Sequence, residues 1–219
     1  MNCITCKIGM NHLTKDLYIC DKCGLISSDI PPDLTVYDKS YCIKYSRYAQ
    51  TDIGDAIQRL RYKFIKKHVK TGKLLDFGCG YGTFIDTCNL NGIKASGFDI
   101  NPHSGFCDVS RLLTHYDIVT YWDTVEHLVN PIDIISGLNA KWIFLSTPSI
   151  DDFNDDWSNL PKWHHYYPGE HVHHFSLESI SVMLNMAGYM VISYNYDESK
   201  FRTSGGNKNI LTIGAKRIG

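Results

Sequence analysis

The chain has 219 residues, a formal net charge of -1, and 43% hydrophobic and 12% aromatic residues, enough apolar side chain for one sizeable core plus a small appendage. That balance leaves no electrostatic footprint for nucleic acid or an anionic membrane. No apolar run approaches the roughly 18 residues of a membrane helix, and the N-terminus lacks a signal-peptide core. Eight cysteines, four of them in C-x-x-C pairs, argue for a metal site in a reducing, cytosolic compartment and against a disulfide framework.

Cys3 and Cys6 form the first pair, Cys20 and Cys23 the second, followed by Gly24. Each pair can bring two thiolates to one ion, and four soft ligands in tetrahedral geometry favour zinc. A redox C-x-x-C usually occurs once, beside a βαβ unit, so the duplication favours the structural ion. Residues 1–30 are therefore expected to form a zinc ribbon or knuckle whose metal supplies most of its folding free energy. Asp16, Asp21 and Asp29, with no basic stripe, argue against DNA reading; clamping a second subunit in a homo-oligomer is one use for such a module. Ile30-Pro31-Pro32 reads as a stiff linker. Residues 31–50 then form a neck in which Tyr37, Tyr41, Tyr45 and Tyr48 share one helical face, either packed on the main body or bordering a site.

From Asp55 to Val69, Ile57, Leu60, Phe64, Ile65 and Val69 make one apolar stripe of a helix, with Arg59, Arg61, Lys63, Lys66 and Lys67 on its solvated side. The stretch on which the chain is organised follows: Leu74 to Gly82, LLDFGCGYG, an apolar strand running into glycines 78, 80 and 82 and then into the helix TFIDTCNL. Glycines let a turn fold tightly and let a ligand approach the peptide plane, while the helix directs free N–H groups at it. A dinucleotide fingerprint would need glycine at position 83, which is Thr83. KASGFD is a second strand ending in Asp99, whose carboxylate can accept both hydroxyls of a ribose. GFCDVS reads as a brief third strand with Asp108, and Ile118 to Tyr121 as a central strand buried on both faces. Trp122 and Asp123 emerge at its carboxyl edge, where open α/β sheets bind ligands. Glu126 and His127 come next; His127 is either a base titrating near neutrality or a histidine that holds a loop. Asn130-Pro131 opens a helix, and Lys141 to Ser146 is a fifth strand.

DDFNDDWSNLPKW is expected as a loop over the mouth. His164, His165, His171, His173 and His174 then crowd into eleven residues. They permit a second metal site, a proton-transfer site, or a polar loop hydrogen-bonded to backbone. Ser176 caps a helix with Leu177, Ile180, Met183, Leu184 and Ala187 on its core face, stopped by Gly188. Tyr189 to Tyr196 and Ile210 to Ala215 are the last strands, with a turn over Arg202 to Lys208.

The D-x-G-x-G-x-G pattern of Asp76 to Gly82 resembles the first motif of class I S-adenosylmethionine-dependent methyltransferases, and residues 51–219 are similar to that family through to the final hairpin. The resemblance implies an α/β, Rossmann-like sheet of seven strands whose last is antiparallel. It implies S-adenosylmethionine as cofactor, with Asp76 facing the methionine amino group and Gly78, Cys79, Gly80 and Gly82 accommodating the methionine portion. Asp99, Ile100, Trp122 and Asp123 complete the set, and Asp108 meets the adenine amino group unless it serves only as a helix N-cap. A zinc ribbon, a proline step and a tyrosine-rich neck resemble a bacterial and phage methyltransferase group whose relatives include sugar C-methyltransferases. PGEHVHHFSLESI looks like the E-H-x-x-x-F-S element of that group. In the sugar enzymes the matching pair, Glu170 and His171 here, is implicated in catalysis; in other relatives the element is mainly structural. Glu126-His127 resembles the E-H dipeptide of many small-molecule methyltransferases. The expected activity is methyl transfer to oxygen or carbon of a small acceptor such as a sugar nucleotide, polyol or phenol. The motifs of amino-methylating and cytosine-C5 DNA enzymes are absent from the sequence. The alternative is a non-catalytic interaction protein that keeps the pocket as scaffold.

Overall fold

The computed structural model describes residues 1–153, 156–202 and 208–219. Apolar runs ending in turn residues give the strands β4 (Lys73–Phe77), β5 (Lys94–Phe98), β6 (Ile118–Trp122), β7 (Trp142–Pro148), β9 (Tyr189–Asn195) and β10 (Ile210–Arg217). They form one sheet in the order β5-β4-β6-β7-β10-β9. The first four are parallel to their neighbours, and β10 runs antiparallel to both β7 and β9. Helices α2 (Asp52–His68) and α3 (Thr83–Leu90) cover one face, through Phe64, Ile65, Phe84 and Cys88 against Leu74, Ile118 and Phe144. Helices α4 (Pro131–Leu138) and α5 (Leu177–Met186) cover the other, through Ile135, Ile180, Met183 and Leu184 against Leu75, Val119 and Leu145. Burial on both faces explains why every residue of β6 is buried and why its sequence shows no alternation. Thr51 caps α2 and Ser176 caps α5, each side chain taking a backbone N–H of the first turn, which satisfies donors the helix itself leaves free.

Six strands are present among the described residues where seven were expected, because GFCDVS does not form one. Asp108 Oδ1 instead accepts from the N–H (3.0 Å) and hydroxyl (2.7 Å) of Ser110 and caps a 3-10 turn over Val109–Leu113. An Asp–Ser pair that closes locally diverts the backbone from a ladder. The acidic aromatic loop also differs from expectation, holding a 3-10 helix at Trp157–Lys162. The turn placed at Arg202 to Lys208 lies mostly outside the described residues.

The first thirty residues fold as two matching knuckles. In the first, Lys7 N–H bonds to Cys3 C=O and Cys3 N–H to Ile8 C=O; in the second, Gly24 N–H bonds to Cys20 C=O and Cys20 N–H to Leu25 C=O. Lys7 (φ 59°) and Gly24 (φ 69°) take the same left-handed conformation. The sulfurs of Cys3, Cys6, Cys20 and Cys23 converge within 4.8 Å. Strands β1 (Asn11–Thr14), β2 (Leu17–Ile19) and β3 (Ile26–Ser28) form a sheet whose fourth strand, β8, is His173–His174. Cys3, Met10, Cys20, Cys23 and Leu25 lie in the same apolar cluster as Phe175 and α5. The linker at residues 30–32 therefore marks a change of composition, while the packing runs across it.

Arg61 is the main departure from the helical pattern. It lies on the buried side of α2, 5% exposed, one turn from Ile57 and from Phe64. Its guanidinium donates twice to Glu198 (both 2.8 Å), once to Asp123 (2.7 Å) and once to the Ser146 hydroxyl (3.0 Å). No helix among the described residues is long and apolar enough to cross a membrane. Removing one member of a buried pair strands the other charge. Arg61→Ala should lose about 3–5 kcal/mol of unfolding free energy in urea titrations, and a loss below about 1 kcal/mol, the worth of a surface pair, would contradict the buried-network assignment.

Candidate functional site

The turn after β4 is built by backbone conformation. Gly78, Gly80 and Gly82 all have positive φ, at 81°, 53° and 79°. A Cβ at residue 78 would stand 2.4 Å from Thr124 Oγ1, and one at 82 would stand 2.7 Å from the Phe106 ring. At Gly80 it would meet nothing within 4 Å, so the tip of the turn faces open space. The turn is strapped to the end of β5. Gly78 N–H and Cys79 N–H donate to Phe98 C=O (2.8 and 3.2 Å), and Gly80 N–H donates to Asp99 Oδ2 (2.8 Å). Asn101 N–H takes the other oxygen of Asp99 at 2.8 Å, leaving lone pairs on both for a ligand. Burial raises the Asp99 carboxyl despite these two bonds.

Asp76 sits below the turn, 2% exposed, and accepts the Thr120 hydroxyl at 2.6 Å. Burial pushes its pKa up to about 7. Cys79 offers only backbone to the open side, since its sulfur packs over Gly97, where a Cβ would come within 2.5 Å of it; burial pushes this thiol far up. Ile100 is 62% exposed beside Asp99.

Two residues expected at the ligand edge are spent on structure. Trp122 is buried, edge-on to Phe84 with centroids 5.3 Å apart and 4.9 Å from the Arg61 guanidinium. Asp123, held at φ 50°, accepts two bonds from Arg202 (2.8 and 2.6 Å) besides that from Arg61. Burial alone would raise its pKa, but Arg202 and Arg61 hold it well below the carboxylate range.

Opposite the glycine turn, the chain after β6 meets the neck and the histidine segment. Val172 N–H donates to Glu126 C=O at 2.9 Å. His127 Nδ1 lies 3.0 Å from Glu170 C=O and 2.9 Å from Tyr37 Oη. His171 Nδ1 lies 2.8 Å from His165 C=O. A carbonyl only accepts, so both Nδ1 atoms carry the hydrogen and each Nε2 keeps its lone pair. Burial keeps both rings neutral, His127 down to about 4 and His171 well below its ordinary value. The two rings meet edge to face, centroids 4.6 Å apart. Glu126 is 2% exposed, and neither carboxyl oxygen makes a hydrogen bond of ordinary geometry among the described residues; burial and then Asp123 push it up to about 8, against the weak pull of its own backbone N–H and the Thr147 hydroxyl. Burial also raises Glu170, against the pull of Lys44.

The neck helix α1 (Lys39–Ala49) brings Tyr41 and Tyr45 to this side, while Tyr37, expected on the same helical face, lies before the helix at the end of a 3-10 turn. Rings of Tyr37, Tyr41 and Tyr45 follow one another at 5.1 and 4.5 Å. Asn101 Nδ2 donates to the carbonyls of Tyr37 (2.5 Å) and Asp38 (3.4 Å), so one residue after β5 fixes the neck above the crevice. Among the clustered histidines, only His171 joins His127. His173 bonds Ser27 and Val129, and His164 lies 3.4 Å from the Asn209 amide. The reasoning from sequence missed Arg61, Glu198, Arg202 and the Tyr37–His127 bond. Spacing hints at only one of these, since Glu198 and Arg202 stand four apart.

Residues 45–194 match the family described as a methyltransferase domain. The chain belongs to that family. No match was found among curated proteins. Solved structures similar to this methyltransferase chain include an S-adenosylmethionine-dependent methyltransferase from Archaeoglobus fulgidus, 17% identical with a TM-score of 0.60, covering 81% of this chain and 100% of that one. Another is magnesium protoporphyrin IX methyltransferase from Synechocystis PCC 6803 with bound S-adenosylhomocysteine, at 16% identity and TM-score 0.58, covering 85% and 100%. A third is 1,6-didemethyltoxoflavin-N1-methyltransferase from Burkholderia thailandensis with its acceptor and S-adenosylhomocysteine bound, at 12% and 0.61, covering 96% and 99%.

The Asp76 carboxyl yields a pH prediction for the methyltransferase fold. Its folded pKa of about 7 lies above the unfolded value of about 3.9, so between them the folded chain holds the extra proton and stability falls as pH rises. Asp76→Asn keeps the bond from Thr120 and removes the penalty. It should be more stable than the natural chain by about 2–4 kcal/mol at pH 8, with a smaller gain at pH 4.5; urea titrations showing it less stable at pH 8 would reverse the assignment.

Proposed function

We propose that the chain is an S-adenosylmethionine-dependent methyltransferase acting on oxygen or carbon of a small molecule. The carrying observation is the strap from Gly80 N–H to the Asp99 carboxylate, with open space at the glycine. In this reading Asp99 receives the ribose hydroxyls and the Gly78–Gly82 turn receives the methionine portion. Asp76 faces the amino group, and Ile100 supplies an apolar rim for adenine. Asp108 keeps the oxygen not used in its cap for the adenine amino group. Trp122 and Asp123 support the site from beneath. Relatives with this fold carry S-adenosylhomocysteine.

The cofactor supplies a sulfonium-bound methyl group, and the protein's task is to align the acceptor with it and exclude water. Tyr37, His127, Glu170 and His171 form the acceptor side. A neutral imidazole with its Nδ1 hydrogen fixed by a carbonyl presents the lone pair a general base needs. His171 is assigned that role, His127 and Glu170 orienting the acceptor. The tyrosine rings of the neck suit the flat or apolar side of a phenol or sugar. Absence of a basic stripe disfavours nucleic acid.

The cysteine cluster is read as a structural zinc site. Its four sulfurs converge from two matching knuckles, the donor set and geometry that zinc takes. Because β3 pairs with β8, a chelator should raise amide exchange in residues 17–28 and in 172–175 together, while β4 to β7 stay protected. Exchange confined to the first thirty residues would show that the seam carries no stability.

Calorimetry with S-adenosylmethionine tests the cofactor reading. Binding is expected for the natural chain and should fall at least about tenfold in Gly80→Val, whose side chain enters the open tip. No binding by the natural chain would leave a scaffold. Labelled cofactor offered with nucleotide sugars, phenols and oligonucleotides then identifies the acceptor class. His171→Ala should lose about 10²-fold or more in kcat; an unchanged rate removes it as the base.

A further inference from the structure

Glu126, His127 and His171 each bring a donor atom to within 4.8 Å of the others. They come from two distant segments, the turn after β6 and the loop before β8, joined by the Val172–Glu126 backbone bond. All three are acceptors toward one another. The two imidazoles have given their Nδ1 hydrogens to the carbonyls of Glu170 and His165, so only Nε2 lone pairs remain for a ligand. The Glu126 carboxyl has two buried oxygens that make no hydrogen bond of ordinary geometry among the described residues, the Thr147 hydroxyl standing beside them as a weak donor. Arg61 and Arg202 donate to Asp123 and Glu198, and neither bonds to Glu126. A cation among them would satisfy these buried acceptors together.

We propose that Glu126, His127 and His171 form a binding site for a divalent transition-metal ion, separate from the cysteine cluster. Two imidazoles and one carboxylate are a donor set suited to zinc, iron(II) or manganese(II). Imidazole ligands of such ions carry their other ring N–H on a carbonyl, which fixes ring and tautomer; Glu170 and His165 supply those carbonyls here. Ligands sharing an ion at about 2.0–2.2 Å stand about 3–3.5 Å apart, so binding draws the three groups inward by about an ångström. Three protein ligands leave a coordination position open. An acceptor oxygen bound there becomes more acidic. The general-base role of His171 therefore belongs to the ion-free site, and with the ion bound its Nε2 is a ligand and the ion acidifies the acceptor in its place.

The test uses the full chain, stripped of metal under reducing conditions and titrated with cobalt(II). Two equivalents per chain are expected, one with the intense thiolate charge-transfer bands of the cysteine site and a second without them. Glu126→Gln, which keeps shape and removes charge, should bind the second equivalent at least about tenfold more weakly and keep the thiolate bands, which also report that its N-terminal module is folded. His171→Ala should do the same. One equivalent in the natural chain, meaning that Glu126 simply holds a proton, overturns the site. So does a second equivalent that survives Glu126→Gln, whether or not His171→Ala folds. Ion binding requires no cofactor, so failure here leaves the methyltransferase reading standing, and failure of that reading leaves the ion site standing.

Discussion

Charge neutralisation at the carboxyl ends of the central strands governs this molecule. Asp76, Asp123, Glu126 and Glu198 all lie in or beside the interior there, and two guanidinium groups reach them. Arg61 and Arg202 are divided between Asp123 and Glu198. The other two carboxyls are left to burial, which raises them to about 7 and about 8. A core designed for stability alone would replace such groups by apolar side chains. Their retention beside an open glycine turn, with pKa values near neutrality, is the pattern of a site that binds charge.

The second organising contact is the seam between β3 and β8. It makes the histidine segment the edge strand of the N-terminal sheet, with Ile26 opposite His174 and Ser27 opposite His173. His171 is two residues from that seam, and Tyr37 descends from the same N-terminal region to His127. The knuckles therefore help to set the position of Tyr37, His127 and His171 through backbone pairing, a stiffer link than side-chain packing on loops.

The cofactor side was legible because its chemistry is local. Glycines 78, 80 and 82 and the Asp99 that answers them lie within one strand–turn–helix–strand unit, where spacing carries geometry. The parallel core and the cap at Ser176 follow from local pattern in the same way, and the antiparallel strand β10 was what the family resemblance implied. What could not be read depends on long-range partners. Arg61 fits a charged helical face until Glu198, 137 residues away, draws it inside. Asp123 sits where ligands bind, yet two arginines occupy it. The stretch with Asp108 failed as a strand because a serine two residues on closed an Asx turn, a competition that pattern alone does not settle. The histidine run looked like one cluster, but His173 in β8 turns to Ser27 while His171, in the loop before β8, meets His127.

The distance in sequence between Arg61 and its acids also bears on the order of assembly. Glu198 is synthesised 137 residues after Arg61 of helix α2. Until then Asp123 is the one carboxylate of its two that the Arg61 guanidinium can meet. Contacts of such separation close only after most of the loop entropy has been lost. A growing chain thus holds β7 as an unpaired edge until β10 has been made, the stage at which such a strand is most exposed to its neighbours.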